Sequence, residues 1–543
     1  MQEPTLYPEG EGRCREGRGT TAPRGPAGVV GDGTHGEDIQ ATREVRRGEA
    51  AHLEPVAREG QAGRRRMAER FVVAKKPGNA GGAKEPQFQE SVRRKDSRRL
   101  AMSLRPPEKV GKLQAALQDK AKRAPNYRFY LLYDKVYRAD VLAFAYECCR
   151  ANGGAAGVDG QTFADIEAYG RERWLGELTE ALKGRTYQPQ AVRRVWIPKP
   201  DGKQRPLGIP TIRDRVVQMA AVLVLGPIFE ADLPPEQYAY RQGRSALDAV
   251  QAVNDWLHRV YTEVVDADLS GYFDTIPYAE LMKSVARRVS DRHMLHLVKM
   301  WLEAPVEETD EQGRTQRTTR NKDEGRGTPQ GGVASPLLAN LYMRRFVLGW
   351  KTLGFERRLD AHVVNYADDF VICTRPGLAS SAMTAMRGIM ERLRLTVNET
   401  KTRICRLPEE TFDFLGYTMG RQYSRQTGER YLGPSPSKKT VARLCKEISA
   451  VTESRTTWKA PDHVVAELNV KLRGWANYFC LGTVVPAYET VMGHARRRLR
   501  RWLSVKHKAR RRRYATFPDQ RLHEGWGLCL LPRITPYFSC ANS

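Results

Sequence analysis

The chain has 543 residues, of which 41% are hydrophobic, and this is enough to build packed cores in several domains. Lys and Arg number 90 against 63 Asp and Glu, so the net charge is +27 and we expect a polyanionic partner, nucleic acid ahead of an anionic membrane. The longest apolar run, 216–225, falls far short of the roughly 20 residues of a membrane span. Nine scattered cysteines without a Cys-x-x-Cys pair argue against a disulfide framework and a zinc site. A cytoplasmic, multidomain protein without a membrane segment is expected.

The N-terminal part of the chain, 1–108, differs in composition from the rest. It is rich in Gly, Glu and Arg, which is typical of a disordered basic leader. From about Lys112 apolar residues recur at helical spacing, so ordered structure is expected to begin there. Short β-branched pieces around the Asp201-Gly202 turn predict a hairpin over 191–210, and a helix is expected to follow over 214–225.

Two strand candidates lie further along the chain, separated by helical patterns. One is Glu263 to Leu269, and the other is His362 to Cys373, folded on itself. A sheet assembled from such distant segments predicts an α+β fold. After about Thr418 the pattern turns mostly helical.

The C-terminal part combines one amphipathic helix with a strongly basic end. Apolar residues at 3-4-3-4 spacing predict a helix with one buried stripe. The stripe consists of Val465, Leu468, Leu472, Trp475 and Phe479. Between Arg496 and Arg513, eleven of eighteen residues are Lys or Arg. Such a run suits nucleic-acid phosphates, although basic helices are also common on proteins that are merely soluble.

Acidic residues at two of the strand candidates suggest phosphoryl-transfer chemistry, which needs carboxylates that converge on two divalent cations. Asp368 and Asp369 are predicted at the tip of the 362–373 hairpin. On the other strand, Asp266 and Asp268 share one face because side chains alternate, and spacing alone cannot choose between them. Adjacent acids in a turn are usually ordinary solvated residues, so the carboxylates alone do not decide the function.

The surrounding blocks resemble those of reverse transcriptases, in that family's order. Within this family the closest likeness is to the bacterial group II intron-encoded reverse transcriptase/maturases, over roughly 112–515. The blocks that carry it are 151–160 (ANGGAAGVDG), 197–210 (IPKPDGKQRPLGIP), 266–276 (DADLSGYFDTI), 327–340 (GTPQGGVASPLLAN), 366–369 (YADD), 398–402 (NETKT), 412–417 (FDFLGY) and 468–479 (LNVKLRGWANYF).

The resemblance implies roles for particular residues. Asp268, Asp368 and Asp369 would hold two Mg²⁺ ions, and Lys401 would give a proton to the pyrophosphate. Phe273 would exclude a ribose 2′-hydroxyl, with a plain core aromatic as the alternative. The other residues implied to bind the nucleotide are Lys199, Arg205, Gln330 and Gly331. Those implied to bind RNA, in the thumb and basic end, are Arg473, Trp475, Asn477, Arg497, Arg500 and Arg511.

The family also implies an architecture: a right-hand polymerase whose fingers and palm carry antiparallel sheet, followed by an all-helical thumb. The expected parts are 1–108 as a leader, 109–260 as N-terminal extension and fingers, 261–425 as palm, 426–490 as thumb or maturase domain X, and 491–543 as a basic nucleic-acid-binding tail. No His/Cys-rich endonuclease module is recognisable after that tail.

The implied function is RNA-directed DNA polymerisation, together with binding of the host group II intron RNA to assist splicing and copying of that RNA into DNA for mobility. The expected partners are the intron RNA, a target DNA and dNTPs, with a monomer or a homodimer equally open. Two alternatives are a domesticated or defence-associated reverse transcriptase and a maturase that only assists splicing.

Overall fold

The computed structural model describes residues 104–198, 204–310, 312–328, 331–424, 427–509 and 513–531. The predictions for the leader before residue 104, and for Lys199, Gln330 and Arg511, lie outside the described residues. Across the described ranges, no helix is both long enough and apolar enough to cross a bilayer.

Helices make up most of the described chain. In chain order they are α1 (Glu108–Arg123), α2 (Tyr133–Val136), α3 (Ala139–Asn152), α4 (Phe163–Tyr169), α5 (Arg171–Lys183), α6 (Ile212–Glu230), α7 (Ala246–His258), α8 (Tyr272–Thr275), α9 (Tyr278–Ala286), α10 (Arg292–Leu302), α11 (Arg320–Glu324), α12 (Ser335–Thr352), α13 (Phe355–Arg358), α14 (Ala379–Arg392), α15 (Lys438–Val451), α16 (Pro461–Tyr478), α17 (Val485–Lys506) and α18 (Arg513–Thr516). A 3₁₀ turn at Ser454–Thr456 and a π turn at Arg521–Gly525 complete this set.

The strands form separate sheets. They are β1 (Val192–Pro198), β2 (Gln204–Ile209), β3 (Glu263–Ala267), β4 (Val306–Thr309), β5 (Thr315–Thr318), β6 (Ala361–Tyr366), β7 (Asp369–Thr374), β8 (Arg403–Arg406), β9 (Phe412–Phe414), β10 (Tyr417–Tyr423) and β11 (Arg430–Pro436). The first sheet has the order β2-β1-β4-β5, the central sheet β6-β7-β3-β8 and the C-terminal sheet β11-β10-β9.

The N-terminal helices pack around α6, which is buried on most of its surface. Its first turn is capped by Thr211, whose hydroxyl accepts a hydrogen bond from the Asp214 backbone N–H at 3.1 Å. The helix expected over 214–225 is thus confirmed, with a start at Ile212 and an end at Glu230. The hairpin expected over 191–210 is also confirmed, since β1 and β2 pair antiparallel with Ile197 opposite Arg205.

The central sheet brings distant parts of the chain together. Strand β3 lies between β7 and β8 and pairs antiparallel with both, and β6 and β7 form a tight hairpin with Tyr366 opposite Asp369. Val265 packs into the core formed with α12 and α14, whereas Val264 belongs to the second core, shared with α7 and the C-terminal helices. The two predicted strand segments are therefore confirmed, and the mixture of helices and sheets agrees with an α+β fold.

The segment after Thr418 departs from the sequence prediction. Instead of turning helical there, the chain continues in β10 and returns in β11, and helix begins only at Lys438. Pairing with β9, which alternates buried Phe412 and Phe414 around Asp413, accounts for these strands, and such tertiary pairing is invisible in a window of sequence. The β10–β11 hairpin spans the boundary expected at residue 425, and the boundary expected at residue 490 falls inside α17.

Helices α15, α16 and α17 pack on one another to form the C-terminal part of the second core. The predicted stripe on α16 is confirmed, because Val465, Leu468, Leu472, Trp475 and Phe479 are all buried. Arg473 and Asn477, on the other face of this helix, are exposed.

Candidate active site

The β6–β7 hairpin carries two of the predicted acids on its turn. Only Ala367 and Asp368 separate the paired residues Tyr366 and Asp369, which makes this a two-residue hairpin loop. Ala367 has φ +59°, in the left-handed region that a side chain disfavours. The turn thus presents Asp368 and Asp369 side by side at the end of the central sheet.

The third predicted acid, Asp268, follows directly after β3 at the same end of the sheet. Its Oδ2 atom accepts hydrogen bonds from Asn398 Nδ2 at 2.9 Å and from Lys401 Nζ at 3.1 Å. Its backbone is also held, because the Asn398 N–H donates to the Asp268 carbonyl at 2.8 Å and the Asp268 N–H donates to Thr402 Oγ1 at 3.2 Å. The 398–402 turn therefore fixes Asp268 beside the hairpin acids.

Electrostatics show that these carboxylates crowd one another. Removal from water, with the negative charges of Asp368, Asp268 and Asp266 adding to it, raises the pKa of Asp369 to about 7. Burial raises the pKa of Asp266 to about 6, although the Arg403 guanidinium opposes the shift. A nearby cation would relieve this repulsion, so the charge distribution favours cation binding.

The donor chemistry suits a hard divalent cation, because carboxylate oxygens are the ligands that Mg²⁺ prefers. In the described ranges, however, no three acidic, His or Cys side chains are grouped as a ready ligand set. At this site, Lys401 and Asn398 engage the Asp268 carboxylate. The Lys401 ammonium thus supplies the positive charge that a metal ion would bring. We conclude that the residues fit a metal in chemistry and in backbone placement.

Two predicted nucleotide-binding residues lie on different elements, Phe273 on α8 and Arg205 on β2. Phe273, in α8, is 8% exposed and packs edge-on against Tyr272 at 5.7 Å between ring centroids. Its carbonyl accepts the Thr328 N–H at 2.6 Å, which ties α8 to the 327–328 segment. Arg205 is exposed on β2. Phe273 therefore lies at the edge of the core, compatible with a sugar contact and with the core-aromatic alternative.

Gly331 makes a contact that the sequence did not indicate. It has φ +111°, and a Cβ atom there would overlap the carbonyl oxygen of Gly208 in β2. Two residues later, the Val333 N–H donates to the buried Gln218 Oε1 at 2.8 Å. The loop after Gln330 is consequently held between the first hairpin and α6. A pair of glycines in separate blocks is the only sequence signal for this approach.

The predicted RNA-binding residues divide into exposed and buried ones. Arg473, Asn477 and Arg497 are exposed. Arg500 is 3% exposed, its Nε donates to the Phe517 carbonyl at 2.8 Å, and its guanidinium pairs with Asp519. Trp475 is 9% exposed and belongs to the second core.

Arg500 and Trp475 are thus buried in this fold, and their RNA contacts stay predictions. Arg500 lies on the inner face of α17, three residues from the exposed Arg497, and is used to anchor the segment that follows the helix. Position within a basic run did not reveal which face a residue occupies.

Two asparagines at the site were missed as individual residues. Asn398 binds the Asp268 carboxylate, and Asn365 is completely buried behind the hairpin turn, where its Nδ2 donates to the Ala367 carbonyl at 2.9 Å. Asn398 is the first residue of a block that was recognised by resemblance. Its contact with Asp268 depends on how the strands pair, which the sequence does not show.

Comparison with known proteins gives two family matches in chain order. A reverse transcriptase (RNA-dependent DNA polymerase) family matches residues 197–419, which include Asp268, Asp368 and Asp369. A group II intron maturase-specific domain matches residues 441–517, which include α16 and α17.

Individual relatives agree with these matches. Protein YkfC of Escherichia coli is 32% identical over 61% of this chain and 93% of its own length. The group II intron-encoded protein LtrA of Lactococcus lactis is 31% identical over 42% of this chain, which spans only 37% of LtrA. A solved telomerase structure from Candida albicans covers 65% of this chain and 67% of its own with 13% identity and a TM-score of 0.35, too weak a likeness for an argument.

The order of the two matched domains, the acids inside the first of them and the identity to YkfC over nearly all its length lead to one conclusion. The chain belongs to the group II intron-type reverse transcriptases with a maturase domain, RNA-directed DNA polymerases that bind intron RNA and assist its splicing.

Proposed function

We propose that this chain copies RNA into DNA at the acidic end of the central sheet, with Asp268, Asp368 and Asp369 as ligands of two Mg²⁺ ions. The observation that carries the proposal is the convergence of β3 and the β6–β7 turn at one end of the central sheet. Burial, with the neighbouring carboxylates adding to it, raises the pKa of Asp369 to about 7, and such a strongly perturbed acid beside other acids supports a functional site. In the right-hand description, the central sheet is the palm, the β1–β2 hairpin belongs to the fingers and α15 to α17 form the thumb.

The reaction joins the 3′-hydroxyl of a primer to the α-phosphorus of a dNTP and breaks the bond to pyrophosphate. Bound Mg²⁺ would supply activation of the hydroxyl and neutralisation of the pyrophosphate charge. Asp268, Asp368 and Asp369 fix where that charge is neutralised, because their strands and turn are rigidly paired. Lys401, whose Nζ lies 3.1 Å from Asp268 Oδ2, is suited to give the leaving pyrophosphate a proton.

Nucleotide selection is proposed for residues around this centre. Phe273 would lie under the sugar and exclude a 2′-hydroxyl, and Arg205 with Lys199 would grip the triphosphate. Gln330 would touch the nucleotide or template, and Gly331, which lies against β2, would let the backbone approach closely. The support for this set is that contacts link its elements to one another: the Phe273 carbonyl in α8 accepts the Thr328 N–H, and Gly331 lies against Gly208 of β2.

The C-terminal helices are proposed as the surface for the host intron RNA. Arg473, Asn477 and Arg497 are exposed on α16 and α17, where phosphates and riboses can reach them. Arg511 continues the basic run. A protein that binds folded intron RNA more tightly than unfolded RNA shifts the population towards the splicing-competent fold. Copying this RNA at a target DNA would serve mobility, with the protein acting as a monomer or a homodimer.

The central test is primer extension on an RNA template with purified protein, dNTPs and Mg²⁺. The parent should make complementary DNA, and Asp368→Asn and Asp268→Asn should each lower the rate by about 10³-fold or more, because a ligand carboxylate is lost. Asp310→Asn, an acid of the exposed β4–β5 turn, is the matched control and should copy as the parent does. Unimpaired synthesis by Asp368→Asn would show that the site assignment is wrong.

A further inference from the structure

The hairpin turn that carries Asp368 and Asp369 adopts a conformation that its own sequence does not favour. Ala367 occupies the left-handed region with φ +59°, a place where glycine is the usual residue of a two-residue hairpin. An alanine held there relaxes unless neighbouring groups fix the backbone. The position of both proposed metal ligands therefore depends on what holds this turn.

The group that holds the turn is the side chain of Asn365. It is 0% exposed, and its Nδ2 donates to the Ala367 carbonyl at 2.9 Å. The same nitrogen lies 3.5 Å from the Asp369 carbonyl oxygen, a longer and weaker contact. These two carbonyls flank Asp368, so one amide group spans the residue that presents the carboxylate.

The backbone of Asn365 is itself fixed by a neighbouring segment. Its N–H donates to the Glu236 carbonyl at 2.9 Å, and its carbonyl accepts the Tyr238 N–H at 3.0 Å. Between these two, Gln237 donates from Nε2 to the Asn340 carbonyl at 3.1 Å, and Asn340 donates from Nδ2 to the Ala239 carbonyl at 2.6 Å. The 236–239 segment thus anchors Asn365 to α12 and gives its amide a rigid base.

The cost of this arrangement is also visible. Within the described residues, the Asn365 Oδ1 and Gln237 Oε1 atoms are buried without a hydrogen-bond partner. A buried, unpaired amide oxygen lowers stability, and an apolar side chain of similar size would not carry that cost. Packing alone does not account for an asparagine at this position.

We propose that Asn365 is a positioning residue for polymerisation: its amide holds the strained Ala367 turn so that Asp368 and Asp369 stay in register with Asp268. The inference rests on the proposed function for the reaction that it serves. Its physical core, the coupling between the Asn365 amide and the Ala367 backbone, is independent of any activity.

The first test is Asn365→Leu, which keeps the number and branching of the side-chain heavy atoms and removes the donor. We expect the kcat for dNTP incorporation to fall at least ~10-fold, because small displacements of reacting groups cost rates of this order. The KM for dNTP, the intron RNA affinity and the thermal midpoint should stay close to the parental values. Hydrogen exchange, measured without Mg²⁺ or RNA, should speed up in peptides covering 361–374 and not elsewhere.

The second test is a double-mutant cycle with Ala367→Gly, since glycine adopts a positive φ without strain. If the amide acts through the turn, the effects of Asn365→Leu on kcat and on exchange should both be several-fold smaller in the Ala367→Gly background. Thr374→Val is the matched control: it removes a buried donor at the far end of β7, where the Thr374 hydroxyl donates to the Glu263 carbonyl at 3.0 Å, so it should lower the thermal midpoint and should show no coupling to Ala367→Gly.

Equal effects of Asn365→Leu in both backgrounds, or unchanged exchange over 361–374, would overturn the positioning role. Parental protein that fails to extend a primer would instead count against the proposed polymerase function. In that case the exchange measurements still decide whether Asn365 holds the turn, so the two failures are distinguishable.

Discussion

The acidic residues at the end of the central sheet show how strongly the site is charged. Asp369 and Asp266 have pKa values raised to about 7 and about 6, because they are removed from water and face further carboxylates. Lys401 and Asn398 offset part of this on Asp268. The arrangement is an unfavourable one for a resting protein and a favourable one for binding cations, which is why it points to function rather than to stability.

A substitution at Lys401 tests whether this residue is a proton donor or only a counter-ion of Asp268. Lys401→Met should lower kcat by about 10²-fold, the usual contribution of a positioned general acid, with little change in the KM for dNTP. Single-turnover incorporation measures this directly. Arg403→Met is the matched control, because this substitution also removes one positive charge close to the acids. The Arg403 Nε atom lies 3.8 Å from Asp266 Oδ2. Similar losses in both variants would mean that Lys401 contributes charge alone.

A substitution at Phe273 tests whether this residue excludes a ribose 2′-hydroxyl or is only an aromatic residue of the core. Phe273→Val opens space beside the sugar, so the preference for dNTP over rNTP, measured as the ratio of kcat/KM values, should fall by about tenfold or more. As a core residue only, Phe273 would give a different result: the variant would lose about 1–3 kcal/mol of unfolding free energy and keep the parental preference.

At the scale of secondary-structure elements, the loop before α12 links parts that are far apart in sequence. Gly331 rests on Gly208 of β2, and the Val333 and Ala334 N–H groups donate to Gln218 Oε1 of α6 at 2.8 and 3.2 Å. Ala334 receives no side-chain cap of its own, so Gln218 satisfies the N-terminus of α12 from a neighbouring helix. The first hairpin, this loop and α6 are therefore in direct contact.

Gly331→Ala should disrupt that link. The added Cβ meets the Gly208 carbonyl and the φ of +111° is strained for alanine, so the loop must move and the KM for dNTP should rise several-fold. Steady-state primer extension over a range of dNTP concentrations provides the measurement. Gly176→Ala in α5, where a Cβ meets nothing within 4 Å, should leave the KM unchanged. An unchanged KM for Gly331→Ala would remove the loop from the nucleotide site.

At the scale of the whole molecule, the basic residues behind the net charge of +27 differ in their environment: some are exposed and others are buried in the fold. Along α17, Arg497 is exposed while Arg500 is buried against Phe517 and Asp519. The sum of charges predicts a polyanionic partner, but only exposed cations release counterions when RNA binds. Substitution of Arg497 should therefore affect RNA binding, and substitution of Arg500 should affect stability.

Arg497→Ala should weaken binding of intron RNA and lower the slope of log Kd against log salt by about 0.7–0.9, the share of one phosphate contact. Arg500→Ala should instead lower the free energy of unfolding by about 1–3 kcal/mol, since a buried charged hydrogen bond is lost. Salt titrations of RNA binding and thermal melting of both variants distinguish these effects. A reduced salt slope with normal melting for Arg500→Ala would contradict its buried role.

The sequence by itself determined the charge, the order of the blocks and the local elements that carry them. The 191–210 hairpin, the α16 stripe and the folded strand around Asp368 follow from turn residues and periodicity, which are local properties. Resemblance then selected Asp268 over Asp266, a choice that alternation alone could not make. The strands after Thr418 escaped prediction, because their polar, glycine-containing sequence becomes a sheet only through pairing with β9 and with each other.

Only the tertiary structure decided which side chains share an environment. It brought Asn398 and Lys401 onto Asp268, placed Gly331 against Gly208 and separated Arg497 from Arg500 by helix face. It also revealed Asn365, a residue with no local signal, as the donor behind a strained turn. The contacts of Asp268, of Gly331 and of the Asn365 backbone depend on strand register and on packing between segments more than a hundred residues apart, and no local pattern of residues encodes such contacts.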